Sequence, residues 1–346
     1  MCAQENQAQD RTVAVFGATG HTGRFVVSEL IRRGLTPVAI ARDEVKLAEL
    51  GFAARGIAVR EASIEDEASL DRAFGGAAAV VNCAGPFLET ANAVVSAALR
   101  VGAHYLDVTA EQGSTLATYE TFDEPARDAG VVVIPAMGFY GGFADLLVSA
   151  AMGDWSFADD IRIGIALDSW HPTQGTRITG QKNTARRMVV AGGRLEPLPQ
   201  PSAEMNWDFP EPFAQQRVVE LPFSEIAVIA RHTRTYELHT YLSHTALRDI
   251  RDPATPPPVP ADQSGRSAQT FMVEAIVSKG DQMRRIVARG QDIYAFSAPL
   301  VCEAVQRILG GGVRESGSQA PGAVFEAQEF LNALAPQHLT FEMANW

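Results

Sequence analysis

The chain has 346 residues, 46% of them hydrophobic and 20% charged, a composition that suits a soluble globular protein of two domains and leaves little room for disorder. Its formal net charge of −12, from 41 acidic and 29 basic residues, repels the phosphate backbone and anionic lipid, so neither nucleic acid nor an anionic membrane is an expected partner. Cys2, Cys83 and Cys302 stand at no metal-ligand spacing, and no window is long and apolar enough for a spanning helix, so no disulfide framework, no metal and no membrane insertion are expected. Residues 1–10 are polar and lack the apolar stretch of a signal peptide, and with free thiols this reads as a cytoplasmic protein.

Residues 12–16 form a short apolar run rich in β-branched side chains, as a buried parallel strand requires, and the run stops at Gly17. A helix is predicted over 20–33, where Phe25, Val26, Val27, Leu30 and Ile31 recur at helical spacing, and Gly34 ends it. Strands follow at 37–40, 57–59, 77–82, 104–108 and 131–135, with helices at 43–50, 91–101 and 118–129. This alternation with short connections marks an α/β fold, a doubly wound parallel Rossmann sheet spanning 1–135. Beyond it the pattern changes. Residues 161–167 and 234–241 alternate, and 270–277 runs through Lys279-Gly280-Asp281 into a hairpin partner at 283–288. These predict an α+β domain over 136–296 with an antiparallel sheet of about four strands, interrupted by a helix at 177–190 and a proline-rich surface loop at 252–260. Helices at 298–309 and 327–334 are expected to return 297–346 to the first domain. A sheet with one face to cover points to a homodimer.

The strongest motif is Gly17-Ala18-Thr19-Gly20-His21-Thr22-Gly23, which leaves a strand and opens a helix. Gly17 permits the tight turn, Gly20 the approach of backbone to a pyrophosphate, and Gly23 the close packing of helix on sheet. The helix N-terminus offers free N–H groups and its positive dipole end to phosphates. At the end of the second strand stands Arg42, suited to a 2′-phosphate and so to NADP, while the following Asp43 suits either a ribose 2′-OH or the cap of the next helix. Ser63 lies where such folds pass over the adenine, or else caps a short helix.

Two further stretches, Asn82-Cys83-Ala84-Gly85-Pro86-Phe87 and Tyr105-Leu106-Asp107-Val108-Thr109-Ala110-Glu111, join the glycine turn in a pattern that resembles the saccharopine dehydrogenase-like oxidoreductases. The pattern continues at Pro135-Ala136-Met137-Gly138-Phe139, Ala144-Asp145-Leu146, Gly175-Thr176, Gly290-Gln291-Asp292-Ile293-Tyr294, and Ala320-Pro321-Gly322 with Phe325. The resemblance implies an NADP-binding Rossmann domain, a second domain carrying substrate and subunit contacts, and hydride transfer to an acceptor it leaves open. The loop of Cys83, Ala84, Gly85, Pro86 and Phe87 leaves its strand where parallel sheets bind ligands, close to the expected ribose and nicotinamide.

The Tyr-x-x-x-Lys mechanism of short-chain dehydrogenases is excluded, because Arg42, Ile178 and Ala275 precede Lys46, Lys182 and Lys279, the three lysines, by four residues. Where the family pattern has an acid after Gly-Phe, this chain has Tyr140, a candidate substrate contact and proton donor or else a packing residue. Asp107 and Glu111 can bind an amine-bearing substrate or orient His104, or else serve loop N–H groups and a helix cap. Met137, Phe139 and Trp170, with His171 and Arg177, are further pocket candidates. His239 and His244 are five apart and on one strand would face opposite sides, against a shared metal. The expected function is an NADPH-dependent reductase of an imine on a small metabolite, with an enoyl reductase or a non-catalytic NADPH sensor as alternatives.

Overall fold

A computed structural model describes residues 11–345, so Cys2 and the polar N-terminal stretch lie outside the described residues. Two compact units emerge, one running to Gly138 and completed by Ser297–Gln319, the other formed by Phe139–Phe296 and the chain from Ala320 onward. The C-terminal stretch expected to return whole to the first unit is therefore shared between them: its helix goes back, whereas its last strand pairs within the second sheet.

In the first unit the strands are β1 (Thr12–Phe16), β2 (Thr36–Ala41), β3 (Ala58–Glu61), β4 (Ala79–Asn82), β5 (His104–Asp107), β6 (Val132–Ile134) and β15 (Gly317–Ser318). They form one parallel sheet in the order β15-β6-β5-β4-β1-β2-β3. The order reverses between β1 and β4, the switch point at whose carboxyl end open α/β sheets take their ligands. Val13, Ala14, Val15, Val80 and Val81 are fully buried in this centre, and each buried valine contributes roughly 1.5–3 kcal/mol. Helices α1 (His21–Arg32), α2 (Glu44–Glu49), α3 (Glu67–Phe74), α4 (Phe87–Arg100) and α5 (Gln112–Asp128) connect the strands. The returning helix α10 (Ile293–Leu309) carries Glu303, which Arg33 joins to Glu29 of α1.

The second unit is built on a nine-stranded sheet: β7 (Ala158–Leu167), β8 (Met188–Ala191), β9 (Arg194–Pro197), β10 (Glu204–Asp208), β11 (Gln215–Glu220), β12 (Thr235–Ser243), β13 (Thr270–Lys279), β14 (Gln282–Gln291) and β16 (Leu339–Asn345). Its main path runs β10-β11-β12-β7-β13-β14-β16. The expected antiparallel sheet is corrected to a mixed one, because β12 and β7 pair in parallel. The helix expected over 177–190 is also shorter. α7 (Gln174–Lys182) is capped by Thr173, whose hydroxyl accepts from Thr176 N, and ends at an extended Asn183. Val189 and Val190 then enter β8, as β-branched residues favour. Ile161, Ile163, Ile165 and Leu167 of β7 share a face with Phe271, Val273, Ala275 and Val277 of β13, and α6 (Ala144–Met152) packs against β13 and β14. Opposite, Gly164 leaves room for the Trp207 ring, to which an added Cβ would stand 2.5 Å away. The Trp207 indole donates to Glu274 at 2.9 Å.

Candidate functional site

The glycine turn follows β1 directly, with Gly17 at φ 81°. Gly17 N and Ala18 N both donate to Ile40 O, tying the turn to the end of β2. A Cβ on Gly17 would lie 2.8 Å from Ala84 N, and one on Gly23 would overlap the Gly17 carbonyl oxygen. Gly20 is the N-cap of α1 with no side-chain cap, so the first N–H groups of the helix are left to a ligand or solvent. The packing room and the free amides form a cradle that fits a pyrophosphate. Thr19, His21 and Thr22 border it, half-buried, with the His21 ring edge-on to Phe25 at 5.3 Å.

Asp43 is the N-cap of α2, its carboxylate accepting from Lys46 N at 3.1 Å. Arg42 is exposed beside it and forms no ion pair among the described residues. The helix after β3 starts with Asp66, which accepts from Ser69 N, so the alternative of Ser63 as its cap is corrected. Ser63 Oγ accepts instead from Glu65 N at 3.3 Å, and its own N–H donates to Ser69 Oγ.

The loop after β4 lies beside the glycine turn, Cys83 N donating to Phe16 O at 2.8 Å. Asn82 shapes it: its carbonyl oxygen accepts from Ala84 N at 2.9 Å, and its amide donates to Thr90 Oγ1 and the Tyr105 hydroxyl. Thr90 in turn donates to Ala84 O. Gly85 is exposed, Pro86 is the N-cap of α4, and Phe87 begins that helix. Burial beside Asp107 pushes the Cys83 thiol up, so Cys83 is a neutral wall of the loop.

Asp107, expected above to bind an amine-bearing substrate, to orient His104 or else to serve loop N–H groups, is fully buried and takes the last of these roles. It accepts from the Tyr105 hydroxyl (2.8 Å), Thr109 N (3.0 Å) and Ala136 N (2.8 Å). Burial raises its carboxyl to about 6, although these three donors pull it back. Glu111 spends its carboxylate on the amides that open α4, Phe87 N at 2.7 Å and Leu88 N at 3.4 Å. Burial still leaves its pKa raised. His104 is tied to neither acid: its Nδ1 accepts from Val132 N, and burial lowers its pKa. Asp107, Glu111 and Asn82 hold the loops from beneath. Met137 is buried, its N–H on Asp107 O.

In the second unit Phe139 and Tyr140 lie in a π-turn, Phe139–Phe143, that leads into α6. Phe139 meets Phe271 and Phe296 edge-on and Phe143 at a tilt, in one aromatic cluster. The Tyr140 ring lies 4.2 Å from Phe223 and 5.4 Å from Trp170, stacked on the latter. Its backbone carbonyl accepts from Ser224 Oγ at 2.8 Å. Its hydroxyl is buried with no hydrogen-bond partner among the described residues, and burial, with Tyr294 and Glu225 nearby, holds it well above the usual tyrosine range. Tyr294 joins two stretches of the sequence pattern, its hydroxyl meeting Thr176 Oγ1 (2.9 Å), and it also meets Trp170 Nε1 (2.9 Å) and Thr173 N (3.4 Å). His171 and Arg177 do not join them. They hold the proline-rich loop, through Pro256 O and through Asp252 O and Thr255 O.

Sequence reasoning missed Glu225, at the start of α8 (Ser224–His232). It is fully buried, accepts from Phe223 N at 2.8 Å, and burial lifts it to about 7 against the pull of that amide, the Thr240 hydroxyl and Arg187. A lone acid in the helical run Ser224-Glu225-Ile226-Ala227-Val228-Ile229 is indistinguishable in sequence from a solvated first-turn acid.

A family described as NAD(P)H-binding matches residues 17–122. A probable mitochondrial saccharopine dehydrogenase-like oxidoreductase of Arabidopsis thaliana is 28% identical over 204 residues, 54% of this chain and 44% of that one. The human saccharopine dehydrogenase-like oxidoreductase is 30% identical over 152 residues, 39% and 35% of the two chains, and a lipid droplet localized protein of Caenorhabditis elegans 33% over 149 residues, 40% and 35%. The chain thus matches less than half the length of these relatives. In fold it is similar to saccharopine dehydrogenase (L-Glu forming) of Saccharomyces cerevisiae, with TM-score 0.67, 11% identity and coverage of 96% of this chain and 100% of that one. The chain is thus similar, over part of its length, to saccharopine dehydrogenase-like oxidoreductases, and its Rossmann unit matches an NAD(P)H-binding family.

Proposed function

We propose that the protein is an NADPH-dependent oxidoreductase that reduces the C=N bond of a small metabolite. The observation that carries the cofactor is the cradle of Gly17, Gly20 and Gly23 at the open N-terminus of α1. The preference for NADPH is supported by the adjacent pair, Asp43 being occupied as a helix cap while Arg42 keeps its guanidinium for a 2′-phosphate. When bound, the cofactor supplies the hydride. The loop from Cys83 to Phe87, held from below by Asn82 and Glu111, would border its ribose and nicotinamide. The imine reading draws on the saccharopine dehydrogenase-like relatives. A protonated imine needs only hydride, so no buried acid is required.

A second acceptor, an enoyl C=C bond, is favoured by a specific observation. Asp107 and Glu111 are engaged internally, and the Tyr140 ring packs on Phe223 and Trp170 while its hydroxyl has no hydrogen-bond partner among the described residues. Reduction of an enoyl group leaves an enolate oxygen, which a neutral hydroxyl can meet as donor. Screening cyclic imines and enoyl thioesters with NADPH, in the parent and in Tyr140→Phe, separates the readings. Imine turnover indifferent to Tyr140→Phe supports the first, and enoyl turnover that falls about a hundredfold in the variant supports the second. NADPH binding without oxidation by either class would leave a sensor.

A further inference from the structure

A cleft of about 360 Å³ in the second unit lies against α9 (His244–Arg251), lined among others by Glu204, Val219, His244, Leu247, Arg248 and Arg251. We propose that it binds a small dianion, a phosphate monoester or a dicarboxylate. Its residues all belong to the second unit, whereas the glycine turn belongs to the first. The inference does not rest on the redox reading.

The positions 244, 248 and 251 recur at helical spacing, so one face of α9 presents an imidazole and two guanidinium groups together. The two guanidinium charges so placed repel, and the chain as a whole, at net −12, has carboxylates in excess with which to neutralise them. It does so sparingly here. Glu204 is the one carboxylate in the lining, and it is engaged by Arg217 at 2.5 Å. The His244 Nε2 stands 3.7 Å from Glu204 and, though buried, makes no hydrogen bond among the described residues. Arg248 meets only its neighbour Asp249, at 3.3 Å, with its side chain 74% exposed. The other oxygen of Asp249 accepts from Trp170 N, and Asp252, next to Arg251, accepts from Ala254 N. Arg251 has no ion pair among the described residues. Unspent donors therefore converge on a concavity of metabolite size whose lining includes the apolar Val219 and Leu247. Two planar guanidinium forks beside an imidazole suit an oxyanion with several acceptor oxygens.

The test follows the imidazole resonances of His244 in the full chain while inorganic phosphate, and separately malonate, is titrated at ionic strength held constant with chloride. A saturable shift with phosphate, weakened by about tenfold or more in Arg248→Gln/Arg251→Gln, is the expected result. Saturation by malonate as well supports the shared dianion chemistry, and saturation by phosphate alone supports the monoester. The phosphate-binding turn can take the same probe, but binding there leaves His244 unshifted and survives the double variant. A linear, non-saturating response, or equal saturation in a double variant with unchanged circular dichroism, overturns the proposal. So does a His244 shift produced by polyglutamate but by neither small anion.

Discussion

Burial of Glu225 makes the stability of the second unit dependent on pH. Its carboxyl rises from 4.5 to about 7 in the folded state. The folded chain therefore holds this proton more tightly than the unfolded chain does. The resulting stability is fully present below about pH 4.5 and is lost as pH rises through about 7. At about 1.36 kcal/mol per pH unit, the loss comes to about 3 kcal/mol. Glu225→Gln copies the protonated form and keeps an oxygen for Phe223 N. It is expected to match the parent near pH 4.5 and to exceed it by about 3 kcal/mol at about pH 8. Urea unfolding followed by tryptophan fluorescence reads the relevant unit, since Trp155, Trp170 and Trp207 all lie there. A difference between variant and parent that stays constant across this range would refute the reasoning, because a solvated Glu225 would ionise alike in both states.

Other consequences can be measured on the same footing. Gly23→Ala forces a methyl group against the Gly17 carbonyl and 2.9 Å from Ala18 Cα, so NADPH affinity, read by calorimetry, should fall by about tenfold or more. Asp145 is fully buried and accepts from His232 Nε2 and Gly322 N, both at 2.6 Å. Asp145→Ala should cost roughly 3–5 kcal/mol in urea unfolding. His232 is raised above 6.5, so this pair's contribution is complete below that value and fades as pH climbs through the raised one. The loss in Asp145→Ala should accordingly be larger at acid pH. Gly164→Ala sets a methyl group 2.5 Å from the Trp207 ring, which should cost roughly 1–3 kcal/mol and shift the tryptophan emission.

The parts legible in sequence were those set by local spacing. Gly17, Gly20 and Gly23 define a turn within seven residues, and the apolar runs that became β1, β2 and β4 are short and flanked by clear breaks. Strand direction was not legible, because alternation in β7 and β12 reads alike whether they pair in parallel or antiparallel. The role of Asp107 was hidden for another reason. Its partner Ala136 N arrives from 29 residues downstream, so only the folded chain reveals that the carboxylate is already satisfied. For Tyr140 the sequence offered a contact or a packing residue, and the structure gives it both a packed ring and a buried hydroxyl with no partner among the described residues.

The central claim is that the glycine turn and Arg42 hold NADPH. Titrating the purified protein with NADPH and with NADH, in the parent and in Arg42→Ala, tests it most directly. The expected result is NADPH binding at least about tenfold tighter than NADH, with the preference abolished in the variant while NADH binding is retained. Equal affinity for the two cofactors in the parent, or a preference untouched by Arg42→Ala, would contradict the role of Arg42. Binding of neither would contradict the claim as a whole.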